Sequence, residues 1–148
     1  MSKAAIIFNG VHFYLPLATT AFSRVKQNNG SVVALFLKAA NEPGEGYFFP
    51  SDLDAAENLS TNKDADAADK KIIESNIQLL KQQALIDQVE LHTKLLEDPS
   101  VEEFKKELSN CEIIFVQEGA NDWENMPVAG LNVKKLLNHV SIPVEWVQ

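Results

Sequence analysis

The chain has 148 residues, of which 45% are apolar and 23% charged, with a net charge of −8. That size and composition suit one soluble globular domain with a full core, and the acidity argues against nucleic acid or an anionic membrane as a main partner. No run of 18 apolar residues suggests a membrane span, the first residues do not read as a signal peptide, and one cysteine, Cys111, excludes an internal disulfide; a cytoplasmic location is expected.

In chain order, Ala4–Phe8 is a short apolar run ended by Asn9-Gly10, the pattern of a strand buried on both faces. Leu15, Ala18, Phe22 and Val25 form one helical stripe, with Pro16 in the first turn. Asn28-Asn29-Gly30 ends that helix, with Gly30 suited to a left-handed cap. Ser31–Lys38 reads as a second buried strand. Residues 41–63 lack a clean period and hold Pro43, Gly44, Gly46, Pro50 and the aromatic patch Tyr47-Phe48-Phe49. They read as a long acidic surface loop or flap, with a helical turn at Leu53–Leu59. From Asn41 to Asp69 eight acids face Lys63 alone, so the charge is local.

The longest predicted helix covers Asp64–Gln88, with Ile73, Ile77, Leu80 and Ala84 as its buried stripe. Asp64, Asp66 and Asp69 then sit at its start, where acids complement the helix dipole; a metal site is the sharper alternative. Val89–Leu95 alternates apolar and polar residues, as an edge strand does. Ser100 and Glu103 make a capping box for a helix whose core contacts are Phe104 and Leu108. Cys111–Val116 is a further buried strand. Val133, Leu136, Leu137 and Val140 mark a short helix, and Ile142–Val147 a last strand. Alternating strands and helices imply an α/β fold with an open, doubly wound parallel sheet of five strands.

Four stretches carry a family resemblance: AAIIFNG, SVVALFLK, LLEDPSVEEFKKEL, and CEIIFVQEG followed by KKLLNHVSIPVEWV. Together the chain resembles a universal stress protein domain, of the adenine-nucleotide α-hydrolase-like group. The resemblance implies a Rossmann-like sheet of order 3-2-1-4-5 spanning residues 1–148, with a ligand crevice between the first and fourth strands. It also implies a homodimer through the last strand, with Ile142, Val144 and Trp146 at the interface, and ATP or AMP as ligand.

ATP-binding members carry Gly-x2-Gly-x9-Gly-Ser/Thr after the fourth strand. Glycines admit backbone N–H groups to the phosphates and the hydroxyl adds a donor. Here Gly119 matches the first glycine and the second falls on Asp122. Counting back from Pro143 gives Gly130 and Leu131 for the last pair, with the spacer two residues short; counting forward gives Asn132-Val133. Neither keeps the hydroxyl. Asp122, with Glu118 and Glu124 near it in sequence, opposes an anion, at a cost of about a few kcal/mol in a partly buried site. The family's first-strand Asp is Asn9.

Candidate nucleotide-binding residues are therefore Asn9, Gly10, His12, Gly119, Asp122, Gly130 and Leu131, with Tyr47–Phe49 as a flap; Trp123 and Met126 read as an apolar lid, as a partner contact or, for Trp123, as a residue buried against the sheet rim. His12 reads either as a ligand contact or as a solvent-facing residue at a helix start, while His92 and His139 read as surface groups. No histidine or Cys111 has metal-ligand spacing, and no activated nucleophile or acid–base pair is visible. The expected function is a non-catalytic, dimeric stress-response or regulatory domain with weak or absent ATP binding and an unidentified protein partner. The alternative is a nucleotide- or nucleoside-binding domain using the crevice.

Overall fold

A computed structural model describes residues 3–40, 53–119 and 126–148, with the side chains of 53–64 left aside. The elements are β1 (Lys3–Asn9), α1 (Leu15–Lys26), β2 (Ser31–Lys38), α2 (Leu53–Asp87), β3 (Glu90–Glu97), α3 (Val101–Glu107), β4 (Ile113–Gln117), α4 (Val133–Leu137) and β5 (Val144–Val147). The strands form one sheet in the order β3-β2-β1-β4-β5, every neighbouring pair parallel.

The two central strands divide their side chains by parity, because successive residues of a strand face opposite sides. Ala4, Ile6 and Phe8 of β1, with Val32, Ala34 and Phe36 of β2, pack with Phe22 and Val25 of α1 and Ile73 and Leu80 of α2. Ala5 and Ile7, with Val33, Leu35 and Leu37, pack with Phe104 and Leu108, Val133 and Leu137 on the α3 and α4 side. Two cores on two faces explain why these strands are apolar at every interior position. Phe22, Phe36, Phe104 and Phe115 are among the largest fully buried side chains, each stabilising the fold by about 1.5–3 kcal/mol.

Local signals set most boundaries. Ser100 caps α3 by accepting a hydrogen bond from the Glu103 N–H at 3.1 Å. Asn132 accepts from the Lys135 N–H at the start of α4. Strand β3 is wet on one side, with Glu90, His92 and Lys94 exposed, as befits an edge.

Three expectations need correction. The left-handed residue after α1 is Asn29, at φ 53°, not Gly30. The Gly30 N–H reaches back to Val25 O at 2.9 Å and the Asn29 N–H to Lys26 O at 3.4 Å. That paired closure places the left-handed residue one position before the last donor, and asparagine tolerates the conformation. Leu15, expected in the buried stripe, is 44% exposed; Leu17 and Ala21 join Ala18, Phe22 and Val25 instead.

The third concerns the acidic segment. Helix α2 begins at Leu53, so residues 53–63 are helical rather than loop, and Asp64, Asp66 and Asp69 lie well inside the helix. Extending an existing helix adds one hydrogen bond per residue fixed, without needing a periodic buried stripe. The dipole account of these three acids therefore fails. Among the described residues no group of three or more His, Cys, Asp or Glu could hold a metal ion. Residues 41–52, with Tyr47–Phe49, lie outside the described residues, as do Asp122, Trp123 and Glu124.

Candidate functional site

The crevice lies where β1 and β2 end. Asn9 closes β1 and is buried. Its Oδ1 accepts a hydrogen bond from the Leu131 N–H and its Nδ2 donates to the Leu131 carbonyl, each at 2.7 Å. The side-chain amide thus acts as a short length of strand, pairing with both backbone groups of one residue. Gly10 follows at φ 61°, a left-handed conformation that glycine adopts without strain. Its N–H donates to Leu37 O at 2.7 Å, which ties the turn to β2.

Residues 127–131 lie directly on this turn. The Val11 N–H donates to Val128 O at 3.1 Å and the Ala39 N–H to Ala129 O at 2.8 Å. A Cβ on Gly10 would come within 2.2 Å of Val128 O and 2.8 Å of Gly130 N. Pro127–Gly130 closes as a tight turn through the Gly130 N–H and Pro127 O at 2.9 Å, with Ala129 at φ 61°. A Cβ on Gly130 would meet Pro127 O at 2.9 Å. Both glycines are required by backbone packed against backbone.

Four of the expected site residues, Asn9, Gly10, Gly130 and Leu131, are therefore brought together, but they hold each other. The space left beside them is a cavity of about 10 Å³ lined by Ile7, Phe8, Asn9, His12, Tyr14, Leu17 and Gln117. Among the described residues that cavity has room for about one water. His12 stands exposed at its rim, its ring stacked on Tyr14 with centroids 6.3 Å apart. Gly119, two residues past β4, takes φ 85°, and among the described residues no atom lies within 4 Å of where a Cβ would be.

A charged group that the sequence reading passed over sits beside the crevice. Lys38, the last residue of β2, has a side chain wholly shielded from solvent. Its ammonium pairs with the Asp66 carboxylate of α2 and donates to Ala39 O at 2.9 Å. Lys70 bridges Asp66, at 3.5 Å, and Glu97, at 3.0 Å. The hydrogen bond and charge of Glu97, then the charge of Asp66, raise the pKa of Lys70. The Lys38 carbonyl accepts the Asp98 N–H at 2.9 Å, and Asp98 Oδ2 accepts from the Ala40 N–H at 3.0 Å. The end of β2 is thus fastened to α2, to the β3–α3 turn and to residue 129. The available signal was a lysine closing a strand apolar on both faces, where a charge demands a partner.

Cys111 is buried as expected, and burial pushes its thiol pKa up. His92 and His139 are exposed. Trp146 is 38% exposed on β5, an edge strand of the sheet, with the Lys134 ammonium 5.7 Å from the ring centroid. Among the described residues no helix is long and apolar enough to cross a membrane.

Neither a protein-family model nor a curated protein matches the sequence. Solved structures do match, over nearly the whole chain. The universal stress protein UspA from Lactobacillus plantarum superimposes with a TM-score of 0.61 at 15% identity, covering 99% of this chain and 97% of its own. A universal stress protein in complex with cAMP gives 0.59 at 11% identity, with 99% and 97% covered. A universal stress protein family protein from Arabidopsis thaliana with AMP bound gives 0.56 at 10% identity, with 99% and 91% covered. At such identities the likeness concerns the path of the chain, and it agrees with the five parallel strands in the order 3-2-1-4-5. The chain has the universal stress protein fold.

Proposed function

We propose that the protein is a universal-stress-like domain that works by association, as a dimer, and neither binds ATP in the crevice nor catalyses a reaction. The observation that carries this reading is the paired hydrogen bond between Asn9 and Leu131, with residues 127–131 laid on Gly10. Residues that would receive a nucleotide are engaged with one another, and the remaining volume suits about one water. Association would use β5, an edge strand with partly buried Val144 and Val147 and exposed Trp146; such an edge offers unpaired backbone groups to a second chain.

Isothermal titration with ATP and Mg²⁺ tests the crevice. No heat of binding is expected up to millimolar nucleotide, and a micromolar dissociation constant overturns the reading.

A second reading, a nucleotide or nucleoside held between β1 and β4, has in its favour the cAMP and AMP named with two proteins of this fold. It requires residues 127–131 to leave Gly10 and Leu131 to release Asn9. Thermal stabilisation by AMP or cAMP, absent with inorganic phosphate, would select it.

A further inference from the structure

A separate cleft opens on the other side of the Leu131 segment, between the β3–α3 turn and α4. Its volume is about 300 Å³, at the lower end for small-molecule sites, which run to roughly 300–1,000 Å³. Pro99, Val101, Leu131 and Leu136 supply apolar lining, and Asn132, Lys135 and His139 supply polar groups from one side. We infer that this α3–α4 cleft is a binding site for a small amphipathic anion: an apolar, ring-sized body carrying one carboxylate, sulfonate or phosphate.

Charge complementarity identifies the occupant. Lys135 in α4 and His139, two residues past its end, both border the cleft. Among the described residues Lys135 makes no ion pair, whereas Lys38, Lys70 and Lys94 are each matched to a carboxylate. The one acid in the lining, Asp98, directs Oδ2 to the Ala40 N–H at 3.0 Å. A cation above an apolar floor favours a monoanion with an apolar body. The long stem of Lys135 can lie along that body while its ammonium meets the anion at the rim.

The site is distinct from the crevice. Leu131 lines the cleft while its backbone is held by Asn9, and the cleft shares no lining residue with the small cavity beside Asn9. Closure of the crevice therefore leaves the cleft open, and the inference does not depend on whether a nucleotide binds near Gly10.

The probe is 8-anilinonaphthalene-1-sulfonate, an aromatic body with one anion, titrated by fluorescence. One saturable site is expected. Its affinity should fall at least tenfold in Lys135→Glu and hold within twofold in Leu85→Lys, which alters another apolar cleft, lined by Lys81, Ala84, Leu85, Val89 and Leu91. If Lys135→Glu fails to fold, Lys135→Met is read for the same loss, since it keeps the stem and removes the charge. The chain has three histidines, so proton spectra locate the probe. Saturation should shift the ring protons of His139 and leave those of His12 and His92. An unchanged affinity in the Lys135 variants, or a shift of His12 in place of His139, overturns the inference. So does a dimer broken by Leu136→Trp and not by Trp146→Lys, which would give the cleft to a second copy of the chain.

Discussion

Asn9 holds both backbone groups of Leu131, 122 residues away in sequence, through two hydrogen bonds of 2.7 Å. This contact joins the end of β1 to the segment entering α4. Aspartate is nearly the same shape but has no donor for the Leu131 carbonyl and adds a buried charge facing it. Asn9→Asp is expected to cost about 1–3 kcal/mol of stability, read as a lower midpoint in urea unfolding. ATP affinity should not appear, because residues 127–130 still lie on Gly10. A variant as stable as the parent would refute the clamp.

Lys38 and Asp66 form the second long-range tie. Removing one partner leaves a buried charge uncompensated, at about 3–5 kcal/mol. Asp66→Asn leaves the Lys38 ammonium, wholly shielded from solvent, without its carboxylate, so a loss of about 3–5 kcal/mol is expected. Replacing both as Lys38→Met with Asp66→Leu should cost less than Asp66→Asn alone. Chemical denaturation of the single and double variants tests this, and additive losses would show that the two do not act as a pair.

The β5 edge yields a test of association. The parent should sediment as a dimer at micromolar concentration, and Trp146→Lys should shift it toward monomer by placing a charge at the centre of the edge. A monomeric parent removes the dimer proposal; a dimer indifferent to Trp146→Lys moves the interface away from β5.

Cys111 gives a pH dependence. Burial disfavours its thiolate, and the charge of Lys3 offsets this only in part, so the folded pKa lies above the ordinary value of 9.0. The unfolded chain then loses this proton first as pH rises. The contribution to stability is complete below about pH 9 and is lost as pH climbs through the folded pKa. Reaction with a disulfide reagent should be slow at pH 7.5 and accelerate only in strongly alkaline buffer. Rapid labelling of the folded protein at pH 7.5 would contradict the burial.

Much of the fold was legible because its signals are local. AAIIF and the VVALFL within SVVALFLK are apolar at every position, the mark of strands covered on both faces, and both lie in central strands. Ser100 with Glu103 marked the start of α3. The start of α2 is not legible from periodicity, because residues 53–63 carry no apolar period. Asp66 was assigned to a helix dipole for the same reason: its partner, Lys38, is 28 residues earlier and meets it only after β2 and α2 pack. For the site, the resemblance selected Asn9, Gly10, Gly130 and Leu131, and these do converge. That they converge on one another was not visible from spacing.

By itself, then, the sequence determined the alternation of strands and helices, the parallel sheet, and the residues gathered at its carboxyl edge. These follow from periodicity, capping and turn chemistry, which act over a few residues. Only the tertiary structure decided that Asn9 would grip Leu131, that Gly10 would be roofed by residues 128–130, and that Lys38 would pair with Asp66. Each depends on the distance of closest approach between segments brought together by the whole sheet, and a one-dimensional pattern does not encode that distance.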